Sequence, residues 1–415
     1  MGSYGTLSLG GIGLYTAKNA VYDHMLNLFS PKDYIEETIV EVEDLKNVKK
    51  LVTTCGIARK RLDIIGYSLK RASDEFEHNM TFLSVADDDY PIELFDILSK
   101  FYDYSEDRPN KDLIKNMTLK NFNNAVKEFF KNPNTKTPSG NLVLDYIIKH
   151  MQDYNGVGFP VLDSLLEVRI ILECLRTSDV VEYHLSEIID NGYAEVQDIF
   201  SFWNGDRLKE ISNKTIILTE GSTDIYVLRK SLNLLYPELS HLYKFFDFDY
   251  TRSPGSTSSL VNLLKGFISA GIGDRFIALF DNDTAAYEAL SNFEIEKITK
   301  NIRIMHLPNL VWAMEYPTLG PTGEVKADIN KLACSIELFM GKNLLIKHDK
   351  LIPIQWTGFC QKLNRYQGEI LYKKDIYNNF CDIVNEAEIN GLENVKHDWE
   401  QLKYLWETIF SVFNC

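Results

Sequence analysis

The sequence lacks most of the features that would assign it to a class at a glance. No apolar run reaches the roughly 18–20 residues that a bilayer span requires, so no membrane-spanning helix is expected. Met1-Gly2-Ser3-Tyr4-Gly5 has neither the basic start nor the apolar core of a secretory signal. Met1-Gly2 with Thr6 fits the short myristoylation pattern, but no basic patch or second lipid site adjoins it, and a chance match is the plain reading. The six cysteines (Cys55, Cys174, Cys334, Cys360, Cys381 and Cys415) include no CxxC pair, and no spacing among them suits zinc. Reduced thiols in a cytoplasmic protein are expected. Gly255-Ser256-Thr257 and Gly271-Ile272-Gly273 are not P-loops, because no G-x-x-x-x-G-K-S/T occurs. If ATP drives the system, a separate ATPase or sensor partner would bind it. There is no internal repeat and no low-complexity tract.

Positive charge is also scarce. Lys and Arg total 44 against 59 Asp and Glu, a net charge of −15, which argues against nucleic-acid binding by the whole surface. A local basic groove, or binding through metal ions held by carboxylates, remains open. What is present is ordinary globular material: 415 residues, 45% apolar, 25% charged and 12% aromatic, enough for two or three well-filled domains.

Along the chain, Thr6–Leu9 and Ile12–Thr16 read as two short strands around Gly10-Gly11, with a further extended piece at Thr38–Val42. From about Asp44 the period reads as helical, with Leu51, Cys55, Ala58, Leu62 and Ile65 on one stripe. Gly66 ends that helix and Ser68 caps the next, to about Phe82. Helices are expected at Pro91–Phe101, Leu119–Phe130, Leu142–Met151 and Asp163–Leu175, and a strand at Val180–Leu185. From Thr215 a βαβα alternation follows: strands at 215–219, 243–248, 275–280 and 302–307, with helices at 223–235, 257–269 and 284–293. After Gly341 the chain reads as helical, interrupted by Gln355-Trp356-Thr357-Gly358, and closes with an aromatic helix at Asp398–Phe413.

The chemistry gathers where two apolar runs end in acids. Thr215-Ile216-Ile217-Leu218-Thr219 leads to Glu220-Gly221-Ser222-Thr223-Asp224, and Arg275–Phe280 leads to Asp281-Asn282-Asp283. Buried parallel strands present such residues at their C-terminal edge, where open α/β sheets bind ligands. Gly221 lets the chain turn away from Glu220, and Asp224 falls in the first helical turn, where the macrodipole favours an acid. Carboxylates sharing one crevice repel unless cations lie between them. Mg²⁺, or Mn²⁺, is the expected cofactor, and phosphoryl transfer the matching chemistry. The plain alternative is that these are turn acids closing strands. Asp247 and Asp249 also end a strand, as site acids or as turn caps.

The Glu-Gly-x-x-Asp signature at Glu220–Asp224, with Asp-x-Asp at Asp281–Asp283, resembles the Toprim domain of topoisomerases, bacterial primases, OLD-family nucleases and small RNases. The resemblance covers roughly 212–345. It implies Glu220 as general acid/base or metal ligand, Asp281 and Asp283 as Mg²⁺ ligands, and Asp224 as the further acid of many nuclease members. Ala333-Cys334-Ser335-Ile336-Glu337 resembles the element that supplies a last acid in OLD-like members, which implies Glu337, with Asp328 behind it. Gly2-Ser3-Tyr4, Ser8-Leu9-Gly10-Gly11, Lys18-Asn19 and Arg61-Leu62-Asp63-Ile64-Ile65-Gly66-Tyr67 resemble the domain ahead of Toprim in HEPN/Toprim-type proteins of bacterial defence loci. Arg71 and His78 fit the Arg-x(4–6)-His pattern of ribonucleolytic HEPN domains, but Ala72 stands where a polar residue is usual.

The expected architecture is therefore α/β: a Toprim-like parallel sheet with flanking helices at 209–345, preceded by a mainly helical domain with a small β piece at 1–208 and followed by a helical region at 346–415. The expected activity is a Mg²⁺-dependent endonuclease, by resemblance in antiphage defence. The alternatives are a ribonuclease acting on tRNA or other structured RNA, or a non-catalytic sensor or scaffold subunit. Topoisomerase is disfavoured for want of strand-gate domains and a tyrosine module, and primase for want of a zinc element. Among the basic residues Lys49, Lys50, Arg59, Lys60, Arg61, Lys70 and Arg71, the trio Arg59, Lys60 and Arg61 is the candidate nucleic-acid contact, the bland reading being a wet helix face. Lys374, beside Lys373, is the candidate phosphate-neutralising lysine. A nucleic-acid substrate and a homo-oligomer are the remaining expected partners, with no membrane.

Overall fold

Gly10 and Gly11 take φ of 55° and 85°, the left-handed pair that a two-residue hairpin requires. They join the antiparallel strands Tyr4–Leu9 and Ile12–Lys18. The computed structural model describes residues 2–41, 44–85, 102–103, 108–161, 163–204, 214–246, 256–293, 298–321 and 323–413. The expected helix at Pro91–Phe101, and Asp247 and Asp249, lie outside these. The chain divides into two compact units, Met1–Glu210 and Ile211–Phe413.

In the first unit five of the described strands form an antiparallel sheet. Its order is Ile12–Lys18, Tyr4–Leu9, Val180–His184, Asp44–Thr54, Tyr34–Glu41. The expected helical period from Asp44 is corrected here: Asp44–Thr54 is a strand, and the helix starts at Cys55. Leu51, Thr53 and Cys55 are buried at alternate positions while Val52 and Thr54 are half-exposed, and the segment pairs with strands on both sides. The Thr54 hydroxyl then accepts from the Ile57 N–H, and Gly66, at φ 97°, closes the helix Cys55–Ile65. Helices Leu69–Val85, Leu119–Lys131, Leu142–Tyr154 and Ser164–Cys174 follow, close to their expected limits. Phe76, Phe122 and Phe159 meet in their core with ring centroids 5.0–6.2 Å apart.

The second unit is built on a four-stranded parallel sheet, ordered Ile302–His306, Arg275–Phe280, Thr215–Leu218, Tyr243–Phe245. Phe276–Phe280 is buried throughout, as a central parallel strand requires. The helices Ser222–Leu235, Thr257–Ser269 and Thr284–Leu290 stand where the alternation put them, the last three residues shorter than expected. Beyond the sheet, the helical expectation after Gly341 is corrected. Ile354–Cys360 and Arg365–Ile370 form an antiparallel hairpin, and the first of them pairs in parallel with Tyr316–Gly320. Residues 346–413 thus share the compact unit of the parallel sheet. The supposed interruption at 355–358 is strand, with a register shift between Trp356 and Gly358. Helices Lys373–Asn390 and Glu400–Ser411 complete the chain. Among the described residues no helix is long and apolar enough to cross a membrane, and Cys55, Cys174, Cys334, Cys360 and Cys381 are free thiols.

Candidate metal centre

Thr215–Leu218 and Arg275–Phe280 are hydrogen-bonded neighbours, so their C-terminal ends open side by side. Glu220 and the Asp281 segment meet there directly: the Asp281 N–H donates to Glu220 Oε1 at 3.0 Å, and Thr257 Oγ1 donates to Glu220 Oε2. Thr257 is the first residue of its helix, so three segments fix one carboxylate.

Asp283 caps the helix Thr284–Leu290 by accepting from the Ala286 N–H at 2.8 Å. Its second oxygen accepts from Gln367 Nε2 at 2.7 Å, and Gln367 Oε1 accepts from the Ala285 N–H at 2.9 Å. Asn282-Asp283 also pairs antiparallel with Ala333-Cys334. That pairing brings in the following turn, Ile336–Phe339, with Glu337 only 7% exposed and Ser335 Oγ donating to it. Glu337 is therefore not a solvated helix acid. Asp328, by contrast, accepts from the Asn330 N–H and side chain and closes a local turn.

The acids feel one another's charge. Burial, then the charges of Glu337 and Glu220, push Asp224 up to about 7. Burial, then Asp224, Glu220, Asp283 and Glu337, hold Asp281 well above the usual carboxylate range. Glu220 is raised mainly by burial, with its Thr257 and Asp281 hydrogen bonds opposing the shift. Each of the three is only partly exposed. Lys373 belongs to the same cluster. Burial lowers it, but Glu337, Glu369 and Asp281 outweigh that and raise it, and it pairs with Glu369 at 3.4 Å. Lys374 is exposed, and no contact with the acids is found for it among the described residues. Of the two lysines, its neighbour Lys373 is the one that feels the charge of the acids. His306, whose Nδ1 lies 2.9 Å from the Asp281 carbonyl, stacks on Tyr287 with ring centroids 4.0 Å apart.

The donor set suits a hard divalent cation: carboxylate oxygens, with raised proton affinities at Glu220, Asp224 and Asp281 that a cation would relieve. Among the described residues, no three acidic, histidine or cysteine side chains already stand as a ligand cage. Both oxygens of Glu220 and of Asp283, and one of Glu337, are engaged by protein donors.

The basic candidates of the first unit are corrected. Arg61 is fully buried and donates to the Leu28 carbonyl, Asp33 and Ser30. Arg59 donates to the Leu172 and Leu175 carbonyls at the end of the helix Ser164–Cys174, where a cation is favoured. Neither guanidinium is offered to a ligand. Lys60 is exposed. Arg71 lies over the Tyr67 ring, and no contact between it and the exposed His78 is found among the described residues. Gln367, Thr257 and Lys373 carry no local signature. Gln367 comes from a segment 84 residues beyond the acid it touches, and of the three only Lys373 has a neighbour in sequence, Lys374, that marks it.

Fold and crevice define the class: an α/β protein whose parallel sheet ends in clustered carboxylates. Residues 1–202 match the family model described as HEPN/Toprim N-terminal domain 1, which supports a HEPN/Toprim-associated protein. The matched segment lies wholly within the first unit. No curated protein and no solved structure matches the chain.

Proposed function

We propose that the second unit is a Mg²⁺-dependent nuclease that cleaves phosphodiester bonds, with Mn²⁺ as a possible substitute. The observation that carries the reading is the Asp281 N–H to Glu220 hydrogen bond. It ties two strand ends into one crevice, where Asp224 and Glu337 raise the proton affinity further. Asp224, Asp281, Asp283 and Glu337 would hold the cation, which supplies charge neutralisation on the phosphate and a more acidic water. Glu220, oriented by Thr257 and the Asp281 amide, is placed to take or return a proton at its carboxylate. Lys373 offsets negative charge on the phosphate oxygens. Gln367 keeps Asp283 oriented, as outer partners of ligating carboxylates do. A role in antiphage defence rests on the sequence resemblance alone. DNA and RNA remain alternative substrates for the same carboxylates.

Purified protein with Mg²⁺ or Mn²⁺ is expected to degrade plasmid DNA or total tRNA, and Glu220→Ala and Asp281→Ala to abolish this. Equal inertness of wild type and both variants on every substrate, with candidate partners added, would leave the non-catalytic sensor or scaffold reading in its place.

A further inference from the structure

Soluble proteins seldom leave several large aromatic side chains in one exposed group without a use for them. The hairpin Ile354–Ile370 does so next to the carboxylate crevice. Phe359 and Tyr366 are directly paired across it, with ring centroids 5.0 Å apart. They are 49% and 57% exposed. Trp356 extends the row, its ring 5.8 Å from that of Tyr366.

The row is held in place. Thr284 Oγ1 donates to the Tyr366 carbonyl at 2.6 Å, and Gln367 is fixed to Asp283 and Ala285. Side chains alternate along a strand, so Arg365 and Gln367 face the Asp281–Thr284 segment while Tyr366 and Phe359 stand on the opposite, open face. Arg365 lies over the Tyr287 ring, and Lys362, at the exposed tip, reaches Asn292. In a chain of net charge −15, these two cations on the side of the hairpin turned to Asp281–Thr284, with the rings exposed on the other, suit a ligand that carries both phosphates and flat apolar faces.

We infer that the Phe359/Tyr366 face is a stacking platform for unpaired bases of a single strand whose backbone crosses the hairpin to the carboxylates. The inference takes the nature of its ligand from the nuclease reading and adds that the substrate is single-stranded, or opened, at this point. Stacking on aromatic rings tolerates any base, so no sequence preference is expected from it. A duplex keeps its bases stacked on each other and gains nothing from the rings.

The test is fluorescence anisotropy of the full chain with labelled oligo(dT) and oligo(U) of about twelve nucleotides, in EDTA so that no cleavage intervenes. Wild type is expected to bind the single strands more tightly than a duplex of equal length. Phe359→Ala and Tyr366→Ala should each weaken single-strand binding by at least about five-fold. Phe359→Leu/Tyr366→Leu keeps an apolar hairpin but removes the rings and should lose binding similarly, while Phe359→Trp should retain it. Unchanged affinity in the leucine double variant overturns the proposal. So does equal or tighter binding of duplex, or a leucine variant whose sole defect is lost self-association in sedimentation, which would make the face a protein contact. Cleavage is scored separately with Mg²⁺. Ring-dependent binding without any cleavage would sink the nuclease reading alone, and cleavage with ring-independent binding would sink the platform alone.

Discussion

Arg61 offers the sharpest test of the first unit, because sequence placed it in solvent and the structure buries it completely. Its Nη1 lies 2.5 Å from Asp33 Oδ2 and 2.8 Å from the Leu28 carbonyl, and its Nη2 is 3.2 Å from Ser30 Oγ. Asp33, with a side chain 13% exposed, keeps only the Ser30 N–H, at 2.8 Å, among its named partners once the guanidinium is removed. Breaking a buried pair from one side costs about 3–5 kcal/mol, chiefly for the charge left behind. Arg61→Met should therefore destabilise the unit by that amount, a melting shift on the order of 10 °C. Arg61→Lys keeps the charge but not the planar fork, and should lose more than half as much. Arg61→Met/Asp33→Leu should recover part of the loss, because both charges are then gone. Hydrogen exchange of peptides covering Cys55–Ile65 reads the effect without requiring the two units to unfold together. Wild-type protection in Arg61→Lys, or a double variant worse than the sum of the singles, would refute the buried-pair argument. Loss of nucleic-acid affinity with unchanged protection would restore the solvent-facing reading.

Two further outcomes bear on the crevice. Lys373→Ala should lower cleavage on the order of a hundred-fold, while Lys374→Ala, one residue on and exposed, should stay within about two-fold; equal effects in a plasmid or tRNA assay would return the role to the pair as a whole. Asp224, raised to about 7 from an ordinary 3.8, binds its proton more tightly folded than unfolded. Its contribution to metal-free stability is thus full below about pH 4 and is lost as pH rises to about 7. Mg²⁺ should accordingly raise the melting temperature more at about pH 8 than at about pH 5, and Asp224→Asn should flatten that difference. An Mg²⁺ shift independent of pH would count against Asp224 in the crevice.

The parallel sheet was legible because its strands are uniform. Phe276–Phe280 is an unbroken apolar run with an acid directly after it. Asp44–Thr54 was misread because four residues is a repeat of both periods. Leu51 and Cys55 lie four apart, so the strand's last buried residues join smoothly to the stripe Ala58, Leu62 and Ile65 of the following helix. The hairpin Ile354–Ile370 was missed for a different reason. The register shift between Trp356 and Gly358 breaks the alternation midway, and its outer half buries no face at all, with Thr357, Gly358 and Phe359 all exposed. Burial is what writes a period into a sequence, and an exposed aromatic hairpin has little of it.

The same asymmetry holds within the crevice. Glu220, Asp224, Asp281 and Asp283 were readable because each is fixed by its own strand end or helix start, so a local motif carries both identity and position. Their orientation is not local. Glu220 is held by a hydroxyl 37 residues away and Asp283 by an amide 84 residues away, and such partners leave no spacing to detect. Charge was misjudged for a related reason: Arg59 and Arg61 look like a basic face until the carbonyls of Leu172, Leu175 and Leu28 are seen to claim them. A side chain's type states what it can bond to, whereas only the fold states what it already bonds to. Burial and mutual repulsion raise Glu220 and Asp224 with Lys373 as the opposing cation, and that imbalance, more than the motif, is the physical argument for the proposed metal centre.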